Sequence, residues 1–304
     1  MDNKSMTALV SAFARAYHKR NNTVPVFSDT VAEKLLSEDE YAMISKNMSD
    51  GIQFFFPGFS GTSEEALRLV ADSYLSPSPV GRAAFTEKSL ETAVQIGTKQ
   101  YLIFAAGYDT FAYRQPEWTS KLNIFEIDHP LTAADKKQRL SSAVIDIPDN
   151  LSFISADFTN SHWEDNILSC KEFDTDKISF CSMLGLTYYL SEDDFRKMIM
   201  KVSSLVPKGS SLVFDYPDEN TYTANAGERA RKQAMLAGGA KEAMLASYSY
   251  KSMQKLLSDC GFLIYEHLIP DEITKQYFST YNKANPEHII TAFDNVDYCL
   301  AVKK

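Results

Sequence analysis

The stretch QYLIFAAGYDTFAYR, residues 100–114, joins an apolar run to a single glycine and an acid. The apolar run is typical of a buried strand, and Gly107 ends it in a turn where a ligand can approach the backbone closely. Ala106 and Asp109 flank this glycine, and we expect all three residues to line a binding site. A pyrophosphate cofactor needs glycines in the pattern G-x-G-x-x-G, but only Gly107 of that pattern is present. The turn therefore disfavours NAD and FAD and favours a ligand without phosphates.

Acidic residues follow at the ends of the next two predicted strands. The segment FEIDHP puts Glu126 and Asp128 on one face of a strand, about 20 residues after the glycine turn, where a carboxylate suits the hydroxyls of a ribose. The next strand ends in SADF, so Asp157 can accept a hydrogen bond from the amine of adenine and Phe158 can pack against its ring. Each acid alone also suits helix capping or ordinary loop chemistry. Together the strand ends favour an adenosine ligand.

S-adenosylmethionine joins an adenosine to a short zwitterionic arm and has no phosphate, so we predict it as the cofactor. Its methyl group leaves a sulfonium in an in-line displacement, which needs an aligned and dry pocket. A carboxylate acceptor is already ionised at neutral pH and needs no base. A hydroxyl acceptor usually needs a base or a metal.

Aromatic residues near two predicted strand ends are candidates for an acceptor pocket. Tyr188 and Tyr189 follow the fourth strand and Tyr216 ends the fifth, while the phenylalanines of GIQFFFPGF at 51–59 suit either a pocket or the core. The five histidines show no carboxylate at a spacing typical of a catalytic base, and no metal cluster is evident. This mildly favours a carboxylate acceptor, and the catalytic residues stay undefined.

These residues must be positioned by an alternation of strands and helices. Apolar runs predict strands at 101–106, 122–128, 151–157, 177–184, 210–216, 262–269 and 296–304. Helical patterns fill the gaps at 130–142, 161–170, 191–205 and 249–260. The alternation predicts an α/β fold with a doubly wound, mostly parallel sheet. No convincing long helix separates the last two strands, so one antiparallel edge strand is expected.

The chain before this sheet has a helical pattern instead. Helices are predicted at 5–19, 29–49, 62–75 and 82–96, and a polar helical insertion at about 217–245. Such additions commonly cover the ligand crevice of a doubly wound sheet. We therefore predict a helical lid at residues 1–97, packed on a cofactor-binding core at residues 98–304.

The composition limits the partners. With 31 Lys and Arg against 40 Asp and Glu, the net charge is -9, and no basic run is present, which disfavours nucleic acid. The four cysteines are far apart and form no C-x-x-C pair, as is typical of reduced thiols in the cytosol. No apolar segment resembles a signal peptide or reaches membrane-spanning length. We predict a cytoplasmic protein with a small-molecule acceptor and no membrane partner.

Several segments resemble the leucine carboxyl methyltransferase family, whose relatives include bacterial O-methyltransferases attributed to polyketide biosynthesis. The resemblance rests on QYLIFAAGYDTFAYR, FEIDHP, ADF and LGLTYYL, in this order and spacing. The family's helical leader resembles TALVSAFARAYH, VFSDTVAEKLLSEDEY and SPVGRAAFTEKSLETAV, and its closing strand resembles FDNVDYCLAVKK. The resemblance thus covers nearly the whole chain.

The resemblance implies a class I methyltransferase fold, which is Rossmann-like, and assigns roles by position. It implies that Arg82 binds the carboxylate of S-adenosylmethionine, a role that suits the guanidinium fork. It also implies that Gly107 allows close backbone approach and that Asp128 binds the ribose. Asp157 and Phe158 are expected at the adenine.

Leu184 departs from the family pattern, because many members carry a glutamate at this position before the tyrosine-bearing turn. We expect Leu184 to line the cofactor site, but the missing acid leaves the substrate class open. The leading hypothesis is an S-adenosylmethionine-dependent O-methyltransferase acting on a carboxylate or hydroxyl of a small molecule. A catalytically silent S-adenosylmethionine-binding module, which Leu184 supports, and a nicotinamide-dependent oxidoreductase are the alternatives.

Overall fold

The computed structural model describes residues 6–239 and 246–304. In these residues one sheet contains the strands β1 (Gln100–Phe104), β2 (Asn123–Asp128), β3 (Leu151–Ser155), β4 (Ser179–Met183), β5 (Ser211–Pro217), β6 (Phe262–Leu268) and β7 (Val296–Lys303). Their order is β3-β2-β1-β4-β5-β7-β6. Strands β1 to β5 pair in parallel, and β7 pairs antiparallel with β5 and β6. The predicted sheet, mostly parallel with an antiparallel strand toward one edge, is confirmed, and β7 lies next to the edge strand β6.

The described helices connect the strands and precede the sheet. They are α1 (Met6–Arg20), α2 (Glu38–Asp50), α3 (Ile52–Phe55), α4 (Ser63–Val70), α5 (Pro77–Gln95), α6 (Phe111–Arg114), α7 (Pro130–Ser142), α8 (Glu164–Leu168), α9 (Glu192–Leu205), α10 (Glu228–Gly239), α11 (Tyr250–Asp259), α12 (Pro270–Ile273) and α13 (Ser279–Ala284). Short 3₁₀ turns occur at Ala32–Leu35, Glu117–Thr119 and Thr187–Tyr189, and π-helical turns at Ala71–Leu75 and Thr274–Phe278.

Two helical predictions differ from the structure for local reasons. The single helix predicted at 29–49 is broken, because Ser37 caps a new helix, α2, by accepting a hydrogen bond from the Glu40 N–H in a capping box. A continuous helical segment at 270–284 separates β6 from β7, where no long helix was expected. A π-helical turn interrupts its regular periodicity, and that irregularity obscures the helical pattern in the sequence.

Alternate residues of β1 face the two helical layers that cover the sheet. Leu102 and Phe104 pack in one apolar cluster with residues of α9 and α11. Tyr101 and Ile103 pack in the other with residues of α5. Strands β1 and β4 are buried at every position, as expected for parallel strands covered on both faces. This layering puts α5 beside the carboxyl end of β1.

The helices before the sheet pack on the turn that follows β1. Phe13 and Tyr17 of α1 share an apolar cluster with Tyr108 of that turn and Leu140 of α7. In the predicted insertion, the Lys232 ammonium of α10 donates to the carbonyl of Phe55 at 2.6 Å. Residues 240–245 of the insertion lie outside the described residues. The division into a lid at 1–97 and a core at 98–304 stays a prediction. None of the helices within 6–239 and 246–304 is long and apolar enough to cross a membrane.

Candidate active site

A cavity of about 430 Å³ lies at the carboxyl ends of β1, β2 and β4, with α1 and α5 forming its other walls. Ligands of open α/β sheets bind at this edge. The cavity brings together a majority of the residues predicted for the site: Arg82, Ala106, Gly107, Asp109, Asp128, Leu184 and Tyr189. The other predicted residues do not line it, and they are Glu126, Asp157, Phe158, Tyr188 and Tyr216.

The turn after β1 needs a glycine for two reasons. Gly107 has a φ of +50°, in the left-handed region that favours glycine, and Ala105 adopts a φ of +52° in the same turn. A Cβ atom on Gly107 would lie 3.3 Å from the Cβ of Ala8, so α1 packs directly over the turn. The N–H of Asp109 donates to the carbonyl of Ala106 at 2.8 Å and closes the turn.

Asp128 lies at the end of β2, beside this turn. Its Oδ2 accepts a hydrogen bond from the Gly107 N–H at 2.5 Å, and its Oδ1 accepts one from the His129 N–H at 2.6 Å. Burial raises the pKa of Asp128, and the two backbone N–H groups partly oppose that rise. Each carboxylate oxygen has a second lone pair, so Asp128 can still accept hydrogen bonds from hydroxyls in the cavity.

Arg82 enters the cavity from α5. Its Nη1 donates to Oδ2 of Asp215 at 3.2 Å, and its Nη2 donates to Oγ of Ser11 at 3.4 Å. A guanidinium has five N–H donors, so these two long bonds leave donors that an anion can use. The arginine is the part of the cavity best suited to a carboxylate.

A second arginine ties α1 to the glycine turn. Nε of Arg15 donates to Oδ2 of Asp29 at 2.8 Å, and its Nη2 donates to the carbonyl of Tyr108 at 2.6 Å. The Thr110 hydroxyl donates to the same Asp29 oxygen at 2.7 Å. These buried contacts fix the turn from the outside, on the wall opposite the strand ends.

The sequence profile of the leucine carboxyl methyltransferase family matches residues 8–203. The chain is also 40% identical over 305 residues to YktD of Bacillus subtilis (strain 168), covering 99% of this chain and 98% of that protein. S-adenosyl-L-methionine-dependent methyltransferase activity is ascribed to YktD. The chain belongs to the leucine carboxyl methyltransferase family. The predictions of the family, of methyltransferase activity and of S-adenosylmethionine as the cofactor are confirmed.

More distant proteins are similar to this chain in sequence or in fold. This methyltransferase is 28% identical to Franean1_4929 of Parafrankia sp. (strain EAN1pec), to which the same activity is ascribed. That match covers 52% of this chain and 49% of the Parafrankia protein. A solved DUF574 family protein of Streptomyces avermitilis MA-4680 covers 100% of this chain and 99% of its own at 11% identity, with a TM-score of 0.62. A Thermobifida fusca YX protein described as a methyltransferase covers 100% and 96% at 12% identity, with a TM-score of 0.56. The class I fold is thereby confirmed.

Glu126 lies below the cavity floor of this methyltransferase rather than at its surface. Its Oε2 lies 2.6 Å from Nζ of Lys136, and both side chains are buried. The Tyr113 hydroxyl donates to the same carboxylate at 3.4 Å. Burial raises the pKa of Glu126 to about 7, although the nearby Lys136 ammonium opposes the rise. Glu126 shares a face with Asp128, but it lies two residues deeper along β2, away from the ligand edge.

Asp157 and Phe158 follow β3, which ends at Ser155, earlier than predicted. Asp157 is exposed, and its Oδ1 accepts hydrogen bonds from the Thr159 N–H at 3.0 Å and hydroxyl at 2.6 Å. The Phe158 ring packs against Trp163 at 5.2 Å between centroids. Their roles at the adenine stay predictions.

The three candidate tyrosines have different environments. Tyr189 lines the cavity, whereas Tyr188 is buried and its hydroxyl donates to Oδ2 of Asp215 at 2.8 Å. Tyr216 lies on the other face of β5 from Asp215, and its hydroxyl bonds Nε2 of His267 at 2.8 Å. Phe55, Phe56 and Phe59 pack in or against a separate small core with α4, and Phe54 is exposed. Only Tyr189 among these described candidates therefore faces the cavity directly.

The histidines and cysteines do not form a site in the described residues. No group of three or more His, Cys, Asp or Glu side chains there can hold a metal ion. Burial lowers the pKa of His18 to about 4, and its Nε2 accepts a hydrogen bond from the Val26 N–H at 2.9 Å. The four cysteines carry free thiols.

Several charged cavity residues escaped sequence reasoning, namely Arg15, Asp29, Glu87 and Arg114. Arg114 binds Glu87 through both of its terminal nitrogens. Asp215, which holds Arg82, also escaped. A lone acid in the apolar strand SSLVFDY was the available signal, because a buried acid needs a partner.

Proposed function

We propose that this methyltransferase transfers the methyl group of S-adenosylmethionine to a carboxylate or hydroxyl oxygen of a small molecule. The observation that carries the proposal is the cavity in which Arg82, Gly107 and Asp128 surround one space. Leu184, Leu186 and Tyr189 add an apolar wall beside the charged residues. A small acceptor suits this cavity of about 430 Å³.

The proposed binding mode assigns one part of the cofactor to each residue. Asp128 accepts hydrogen bonds from the ribose hydroxyls, and Gly107 lets the backbone approach the ligand without a side chain. Arg82 binds the carboxylate of the amino-acid arm with its remaining N–H groups. Asp128 is held by two backbone N–H groups, so it is already oriented before the cofactor binds.

The cavity residues contribute mainly alignment and exclusion of water. The cofactor supplies the methyl group, and its positive charge disappears as the methyl leaves the sulfur. The charge of an anionic acceptor and that of the sulfonium cancel as the methyl moves, which a dry pocket favours, and Leu184 and Leu186 provide apolar surface beside the site. A carboxylate acceptor needs no proton transfer, which makes it the simpler substrate for this site.

The experiment uses S-adenosylmethionine with an isotope-labelled methyl group and a panel of small carboxylic acids, aliphatic alcohols and phenols. Labelled product should form with members of the first class, and base treatment should release the label, because methyl esters hydrolyse and ethers do not. A labelled methyl group that stays on a phenol or an alcohol after base treatment would identify a hydroxyl acceptor, as in methylation of a polyketide hydroxyl. Transfer to nitrogen or sulfur alone would contradict the proposal. Cofactor binding without turnover on any acceptor would favour a silent binding module.

A further inference from the structure

Asp215 is a fully buried acid at the carboxyl end of β5, directly behind the cavity wall. Its Oδ1 accepts a hydrogen bond from the Gly185 N–H at 2.7 Å. Its Oδ2 accepts hydrogen bonds from the Tyr188 hydroxyl at 2.8 Å and from Nη1 of Arg82 at 3.2 Å. A buried carboxylate is stable only with such partners, and here the partners come from two different walls of the cavity.

The sheet register explains why these groups meet. Met183 of β4 pairs with Phe214 of β5, so the next residues along both strands lie side by side at the ligand edge. The segment 184–189 leaves β4 at this point, and its Thr187 hydroxyl donates to the backbone carbonyl of Asp215 at 2.5 Å. Asp215 therefore binds this segment through its side chain and through its backbone.

Gly185 fixes the distance between the segment and Arg82. It has a φ of +68°, and a Cβ atom added there would lie 2.4 Å from Nη1 of Arg82. Any side chain at this position would displace the guanidinium, so Arg82 lies against bare backbone. The arginine and segment 184–189, which carries Leu184, Leu186 and Tyr189 into the cavity, are thus held by one carboxylate.

We propose that Asp215 is a positioning residue that orients Arg82 toward the carboxylate of the cofactor and fixes segment 184–189 beside it. This inference rests on the proposed role of Arg82. A pure counter-charge would only compensate the positive charge of Arg82, whereas a positioning acid also sets the direction in which the free N–H groups point. Asp215 does not line the cavity, so we expect its effect on ligands to pass through Arg82 and the segment.

The test measures binding of S-adenosylhomocysteine and of adenosine to the full-length protein by calorimetric titration. The Asp215→Asn variant keeps the shape of the side chain but loses its charge and one acceptor oxygen. We expect S-adenosylhomocysteine affinity to fall on the order of tenfold, because the arm-binding arginine is misoriented. Adenosine lacks that arm, so its affinity should stay within about twofold. Unchanged affinities, or equal losses for both ligands, would overturn the inference.

A matched control is Asp297→Asn. Asp297 is another buried acid in β7, next to β5, and it binds Nε2 of His267 at 3.1 Å. This variant should leave both affinities within about twofold of the wild type, since Asp297 does not line the cavity. A specific role for Asp215 would be contradicted if Asp297→Asn lowered the affinity for S-adenosylhomocysteine, but not for adenosine, by as much as Asp215→Asn does.

A mutant cycle with Arg82→Met keeps the inference testable if Asp215→Asn alone does not fold. The double variant removes both charges of the pair, and replacing a whole buried pair is tolerated better than breaking it. We expect the double variant to bind S-adenosylhomocysteine as weakly as Arg82→Met does. A further loss in the double variant would show that Asp215 acts independently of Arg82. Failure of the wild type to bind S-adenosylhomocysteine would instead overturn the proposed function, and the inference with it.

Discussion

Arg15 and Arg82 both line the cavity and pair with buried aspartates, but they are bonded very differently. Arg15 uses all three of its nitrogens, with bonds of 2.8 Å to Asp29, 3.1 Å to the Ser11 hydroxyl and 2.6 Å to the Tyr108 carbonyl. Arg82 makes longer bonds of 3.2 Å to Asp215 and 3.4 Å to Ser11. Arg15 also donates to the Ser11 carbonyl at 3.2 Å, so four of its five N–H donors are in use, whereas Arg82 uses two. This contrast supports the proposal that Arg15 stabilises the cavity wall and that Arg82 binds the ligand.

The largest expected effect is a loss of stability when the buried pair of Arg15 and Asp29 is broken. Asp29→Asn leaves Arg15 with an uncompensated buried charge and should lower the free energy of unfolding by about 3–5 kcal/mol. Urea unfolding of the ligand-free protein measures this change. The control is Glu33→Gln, which removes an exposed pair with Arg20 and should cost less than about 1 kcal/mol. Similar losses in both variants would remove the distinction between a buried support and a surface pair.

Asp128, like Arg82, is proposed to bind the cofactor. Asp128→Ala should lower cofactor affinity by on the order of tenfold or more, because each charge-assisted bond to the ribose contributes roughly 1.5–3 kcal/mol. Calorimetric titration with S-adenosylmethionine measures the loss, and circular dichroism confirms the fold. Glu126→Gln is the paired variant and should bind the cofactor normally. The reverse pattern would identify Glu126 as the ribose acid.

Arg82→Lys tests the other end of the cofactor. Lysine keeps the charge but cannot form two parallel bonds, so affinity for S-adenosylmethionine should fall by about tenfold. Adenosine affinity should not change, and stability should fall less than in Arg15→Lys, because the new lysine keeps a positive charge beside the buried Asp215. Arg15→Lys, measured in parallel, should show the opposite pattern, with lower stability. Identical effects of the two lysine variants on affinity and stability would contradict the proposed difference between Arg15 and Arg82.

The last prediction concerns the pH dependence of stability at the Glu126–Lys136 pair. Burial raises the pKa of Glu126 from 4.5 to about 7, so the folded state holds this proton more tightly than the unfolded state. Its contribution to stability is fully present below pH about 4.5 and is lost as the pH rises through about 7. The melting temperature of the wild type relative to Glu126→Gln should therefore fall over this range. The exposed Glu219→Gln variant should show no such trend.

The sequence predicted the cavity residues that follow β1 and end β2, because their chemistry is local. Gly107 ends a recognisable apolar run, and Asp128 follows the next one at a typical distance. How far a residue lies from the ligand edge along its strand was harder to predict. Glu126 has the same periodicity as Asp128 but lies beneath the ligand edge, and its partner Lys136 belongs to the following helix.

Contacts between distant segments could not be predicted from spacing. Asp29 meets Thr110, which is far along the chain, only because α1 and the turn after β1 pack together. Asp215 and Tyr216 are neighbours in sequence, yet their alternation across β5 sends one to the cavity wall and the other to His267. Sequence reasoning chose the tyrosine, because aromatic residues suggested a pocket, and passed over the acid.

The position of β7 affects how the protein must fold. Strand β5 pairs along its whole length with β7, and Ser211 is aligned with Val302. Joining segments so far apart along the chain costs loop entropy before any contact repays it, so this pairing is expected to be slow. Until it forms, β5 is an unprotected edge. Refolding should therefore recover the β1–β2–β3 region before the strand that carries Asp215, and cofactor binding should be among the last properties to return.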